Sequence, residues 1–100
     1  MKKKKLMKQK AVLGVGWYRE DQWDLLLSTA VDKDDLEPTY AEWLDGATKG
    51  IEKLSNSDFQ CVKIPIDVEE MNTWFKENGH PFAGESRVLY ITMKTKEKFS

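Results

Sequence analysis

The sequence predicts a single small α/β domain of two layers, in the order β-α-α-β-α followed by a C-terminal element that is helix or strand. Three observations carry this. Two apolar runs rich in β-branched residues, Ala11–Trp17 and Phe59–Ile66, are separated by segments whose apolar residues recur at helical spacing. At 40% hydrophobic and 33% charged, the 100 residues have the balance of a folded chain rather than a disordered one. A chain of this length buries only about 60–65% of its unfolded surface. The four Trp, four Phe and three Tyr are therefore expected to fill much of a small core.

The elements follow in order. Ala11–Trp17 reads as a buried strand that ends in a tight turn permitted by Gly14 and Gly16. Glu20 and Asp21 suit the first turn of a helix over about 19–30, with Trp23, Leu26, Leu27 and Ala30 on one face. Asp32, Lys33, Asp34 and Asp35 form a polar turn. Pro38 then suits the first position of a second helix over 38–55. Its stripe of Tyr40, Trp43, Leu44, Ala47, Ile51 and Leu54 is the clearest periodicity in the chain, and predicts a core helix. After the turn at 55–58, residues 59–66 read as a strand. Asp67 caps a third helix that stops at Gly79.

The segment 86–96 is open at this level. Val88–Met93 alternates like a strand, and pattern alone favours that reading, yet Ser86 suits the cap of a final helix. The domain is expected to span residues 11–96, with a basic flexible leader over 1–10 and a flexible end over 97–100.

Charge is unevenly spread. The first ten residues carry six lysines and no acid, residues 11–93 carry a net −9, and residues 94–100 carry a net +2. The acidic body argues against nucleic-acid binding except weakly through the leader. No apolar run approaches the roughly 20 residues needed to cross a bilayer, and no signal-peptide pattern follows the basic start. A cytoplasmic location without membrane attachment is the expectation.

Complete catalytic, metal or cofactor motifs are not expected. Gly14-Val15-Gly16 is followed by Trp17 and Tyr18, too bulky for a pyrophosphate turn, and Arg19 stands where a third glycine belongs. Counting from Asp32, a calcium loop needs glycine and glutamate where Glu37 and Trp43 stand. Cys61 is the only cysteine and His80 the only histidine, so multi-cysteine and multi-histidine zinc sites are excluded. Cys61 lies in an apolar strand, where a thiol is usually inert.

Two features remain. Gly16 to Trp23 is dense in aromatic and hydrogen-bonding groups at a strand-to-helix junction, where open α/β sheets place ligands. Only two of the sixteen basic residues are arginines, Arg19 and Arg87, with the planar fork suited to carboxylate or phosphate. Trp17, Tyr18, Arg19, Trp23, His80 and Arg87 are therefore the candidate ligand-binding residues. The bland alternative places the tryptophans in the core and pairs the arginines with nearby acids.

Gly14-Val15-Gly16-Trp17-Tyr18 with Gln22-Trp23, Thr39-Tyr40-Ala41-Glu42-Trp43-Leu44 and Ile64-Pro65-Ile66-Asp67-Val68 resemble a group of short bacterial proteins of no assigned activity. The likeness covers most of residues 12–80. It implies a bacterial cytoplasmic protein, and a segment after Gly84 that is more helical than Val88–Met93 suggests.

Two functional classes follow. The first is a small binding or protein-interaction module, acting on another protein or on itself as a homodimer. The second is a small-ligand protein or enzyme using the Trp17–Trp23 junction with Arg19, His80 and Arg87. Convergence of those side chains on one pocket would favour the second, and dispersal the first. A helical C-terminal segment would leave only two strands with open edges and would strengthen the expectation of self-association.

Overall fold

The computed structural model describes residues 10–56 and 58–99. The expected leader, apart from Lys10, lies outside the described residues. Strand β1 (Ala11–Trp17) is followed by a 3-10 turn (Glu20–Gln22) and helix α1 (Trp23–Thr29), then a second 3-10 turn (Lys33–Asp35) and helix α2 (Tyr40–Leu54). Strand β2 (Phe59–Pro65), helix α3 (Val68–Asn78) and helix α4 (Gly84–Phe99) complete the chain. The order differs from the expected one by the two 3-10 turns, and the C-terminal element, open between helix and strand in the sequence, is a helix. The first helix, expected from 19, begins at Trp23 because Glu20–Gln22 winds more tightly.

β1 and β2 pair in parallel, in a register running from Ala11 opposite Phe59 to Trp17 opposite Pro65. The crossover between them carries α1 and α2, as a parallel pair requires. α4 packs chiefly on β1 and α2 on β2. The Cβ positions of Gly14 and Gly16 would meet Thr95 and Ile91 of α4. Strand alternation turns Trp17 to the opposite face, where it meets Trp43 of α2. Helices therefore flank both faces of the sheet, and the expected two layers are three. The two glycines also have a different role from the expected one. They lie inside the strand and let α4 approach the sheet closely, rather than permitting a turn.

Local rules account for most helix ends. Thr39 caps α2 by accepting from the Glu42 N–H at 3.2 Å, and its hydroxyl lies 3.1 Å from the Glu42 carboxylate, so Pro38 falls before the helix rather than in it. Asp67 caps α3 by accepting from the Glu70 N–H. Gly79 ends α3 at φ 71°, in the left-handed region that a Cβ disfavours.

α4 replaces the strand that the alternation of Val88–Met93 favoured. Ser86, Arg87 and Tyr90 are buried while Val88 and Leu89 are exposed, so burial follows the turn of a helix and not a period of two. Ser86 lies within the helix instead of capping it, and the helix continues past residue 96 to Phe99.

The core consists of Tyr18, Trp23, Leu26, Ile64, Ile66, Val68, Met71, Phe75 and Tyr90. α2 packs Tyr40 and Trp43 against this core but contributes no fully buried residue, and Leu54 is exposed, so the expectation of a core helix holds only for part of its stripe. A sheet only two strands wide is too narrow to cover the whole stripe. Leu44→Ala or Ile51→Ala is accordingly expected to cost only about 1 kcal/mol, below the 2–5 kcal/mol of fully buried aliphatic truncations. Urea unfolding of the two variants checks this; a loss above 2 kcal/mol in either would place α2 in the core.

Candidate functional site

The candidate residues fall into three places. Trp17, Tyr18 and Trp23 meet Tyr40 and Trp43 of α2 in one aromatic cluster. Tyr18 and Trp43 stand edge-to-face at 5.4 Å, and Trp23 and Trp43 lie 5.5 Å apart. The Tyr40 hydroxyl donates to the Tyr18 carbonyl at 2.9 Å, and Lys63 Nζ sits 4.4 Å above the Trp17 ring. Trp23 is only 2% exposed, and its indole N–H has no hydrogen-bond acceptor among the described residues.

Arg87 is buried behind this cluster. It donates to both oxygens of Asp32, at 3.1 and 2.7 Å, and Asp32 also accepts from the Gly84 N–H at 3.0 Å. Asp32 thus joins the loop after α1 to the start of α4. The Arg87 hydrogen bonds hold its carboxyl below the ordinary aspartate range. Burial pushes the Tyr18 phenol up, with Arg87 opposing and Asp32 adding to the shift.

Arg19 points outward. It pairs with Asp21 at 3.1 Å and reaches Asp67 at 3.7 Å. His80 stacks on a different ring, Trp74, at 5.0 Å and 15°. The groove beside His80 is formed with Pro81, Glu85, Ser86 and Leu89, and none of the other five candidates lines it. The six residues are therefore dispersed. Three join an aromatic cluster, two pair with acids, and one packs on a tryptophan.

Two partners carry no signal in the sequence. Asp32 is one acid of a turn cluster, with no local sign that a buried arginine would choose it. Gln22 is buried, donating to Asp67 and accepting from the Val68 N–H at 2.8 Å, so the N-terminus of α3 is already occupied by side chains of this chain.

A groove of about 490 Å³ between α3 and α4 is lined by Glu69, Glu70, Glu77, Glu97, Trp74 and Tyr90, among others. Acids around aromatic rings suit a cation, and Lys94 supplies one: its Nζ lies 4.0 Å from Glu97 and 5.5 Å above the Tyr90 ring. Among the described residues no group of three or more His, Cys, Asp or Glu is placed to hold a metal ion. No described helix is long and apolar enough to cross a membrane.

The two sheet edges differ sharply. The Ala11 N–H donates to the Asp58 carbonyl, and the Trp17 carbonyl accepts from the Ile66 N–H. Ala11, Leu13, Val15 and Trp17 thus direct their backbone groups toward β2, and Val12, Gly14 and Gly16 direct theirs outward. On β2 the outward set is Phe59, Cys61, Lys63 and Pro65. That edge is blunted: Asn56 engages both backbone groups of Phe59, and Pro65 has no N–H.

Among the described residues β1 has none of these devices, and its edge is open at Val12 and Gly14, while Gly16 is buried. The strand carries no charge and no proline. Among the described residues β2 is its only neighbouring strand. Beside the open edge, Val12, Leu13 and Gly14 line a groove of about 290 Å³ with Thr92, Thr95 and Lys96 of α4. Val88 and Phe99, at 65% and 48% exposure, continue the same flank of the helix, since 88, 92, 95 and 99 share one face. No family model matches the chain, and comparison with curated proteins and solved structures returned no similar protein.

Proposed function

We propose that this chain is a protein-interaction module that takes an extended strand along the open edge of β1, with α4 forming one wall of the seat. The single observation that carries this is the contrast between the edges. The β2 edge bears devices that suppress strand pairing, and among the described residues the β1 edge bears none. Backbone hydrogen bonds to Val12 and Gly14 would supply affinity, and the groove against Thr92 and Thr95 would select side chains. Dispersal of the six candidate residues supports a binding module over a small-ligand site or enzyme.

Amide hydrogen exchange tests the reading on two sets of residues. The Leu13, Val15 and Trp17 amides, paired to β2, are expected to be protected at all times. The Val12 and Gly14 amides are expected to gain protection either at high protein concentration or when an extended apolar peptide is added. Exchange of this second set at solvent rates under both conditions would overturn it.

A further inference from the structure

Resting on that reading, we infer that the occupant of the β1 edge is a second copy of this chain, paired antiparallel about a two-fold axis at Gly14. A two-fold axis perpendicular to the sheet brings identical edges together in antiparallel sense. Only registers that oppose outward-facing residues allow the closely spaced hydrogen-bonded pairs of an antiparallel ladder. With Val12, Gly14 and Gly16 as the outward set, the axis at Gly14 satisfies this for the whole strand. Gly14 meets its own counterpart directly, and Val12 stands opposite Gly16 of the second copy, which is buried in the single chain and must be uncovered for that pair to close.

The side chains fit the same register. On the α4 face, each Val12 stands beside a glycine. On the α2 face, Leu13 opposes Val15 and Ala11 opposes Trp17, so every cross-strand pair is apolar or small. Leu13 and Val15 are half-buried in the single chain, and the partner strand would cover them further. The flank of α4 that carries Val88, Thr92 and Phe99 lies beside the same edge, and the two-fold axis would bring it toward its counterpart. The sheet becomes four-stranded, with the blunted β2 edges outermost. That answers the marginal stability of a two-stranded sheet.

The antiparallel sense also suits the charges. It sets Lys10 of each chain beyond Trp17 of the other, toward the exposed Glu20 and Asp21. A parallel or β2-edge pairing has none of these matches.

Two measurements test the inference. Sedimentation equilibrium of the full chain at micromolar concentration is expected to give twice the chain mass. Val12→Lys should return it to the monomer with its helical circular dichroism unchanged. For the register, Leu13→Cys and Val15→Cys chains, each also carrying Cys61→Ser, are mixed under mild oxidation. Non-hydrogen-bonded partners stand about 4.5 Å apart at Cα, within the disulfide range. Disulfide dimers are expected from the mixture at more than tenfold the yield of either chain alone.

Equal yields, or a dimer untouched by Val12→Lys, would overturn the register and the edge. A monomer whose Val12 and Gly14 amides are protected by added peptide would overturn the second copy and leave the strand-accepting reading standing. A monomer with no such protection would overturn both.

Discussion

Trp23→Ala is expected to lower the unfolding free energy by about 3–5 kcal/mol, as for other buried aromatic truncations. The ring is 2% exposed and lies against Tyr18, Tyr40 and Trp43, so its loss opens a cavity that three other rings border. Those neighbours come from β1's exit and from α2, and they cannot all close on the gap without separating from the sheet. Trp23→Phe should cost less, about 1–2 kcal/mol, because most of the ring volume is kept and an enclosed N–H without an acceptor is removed. Urea unfolding of both variants checks the pair. Equal losses would show that the indole N–H contributes favourably, and a loss under 1 kcal/mol for alanine would remove Trp23 from the core.

Arg87→Met is expected to cost about 1–3 kcal/mol, because it strips a part-buried ion pair of its buried member and leaves Asp32 without two charge-assisted hydrogen bonds. Arg87 is 8% exposed and holds Asp32 through two hydrogen bonds. The double variant Asp32→Asn/Arg87→Met should lose less than the sum of the single losses, since neither charge is then stranded. The amide introduced by Asp32→Asn would still offer an oxygen to the Gly84 N–H. Urea unfolding of the two single variants and the double variant checks this, and strictly additive losses would show that the two groups act independently.

The same pair sets a pH dependence. Asp32 has a folded pKa depressed below the unfolded value of about 3.9. Its stabilisation is therefore complete above that unfolded value and is lost as pH falls through the lower folded one. Asp67 is depressed as well, first by the Glu70 N–H and then by Gln22, and acts with the same sign. Wild-type stability is expected to fall with acid below about pH 4. The Asp32→Asn variant should fall less steeply in that window; an identical slope would show that the pair does not report on folding.

The parts of this fold that are legible in the sequence are those fixed by neighbours along the chain. Asp67 and Gly79 bound α3 through capping geometry, and the stripe of α2 follows from spacing alone. α4 is not legible because Val88–Met93 is apolar in a run that satisfies either period. What decides the matter is the pair of glycines in β1, whose bare backbone accepts Ile91 and Thr95 from a helix. The depth of α2 escapes the sequence for a related reason. Periodicity reports which side of a helix is apolar, but how much of it is covered depends on the width of the sheet beneath.

At the candidate site, Trp17, Tyr18 and Trp23 gather as an aromatic group, but their joining to Tyr40 and Trp43 needs the α2 crossover. Arg87 is marked by its side-chain type. Its partner emerges from four nearby acids only when the loop after α1 meets the start of α4. The open edge of β1 has no sequence signal of its own, since outward and inward backbone groups are defined only once the parallel register is known.

The packing of α4 on Gly14 and Gly16 also has a bearing on biosynthesis. The ribosome makes β1 well before the helix that covers it. At 5–20 residues per second, β1 waits roughly 4–15 s for α4 to be translated. Its pairing with β2 is itself long-range and cannot be nucleated locally. Throughout that interval the nascent chain presents an uncharged, glycine-bearing strand with one face bare, the kind of segment that chaperones hold and that neighbouring polysomal chains can capture.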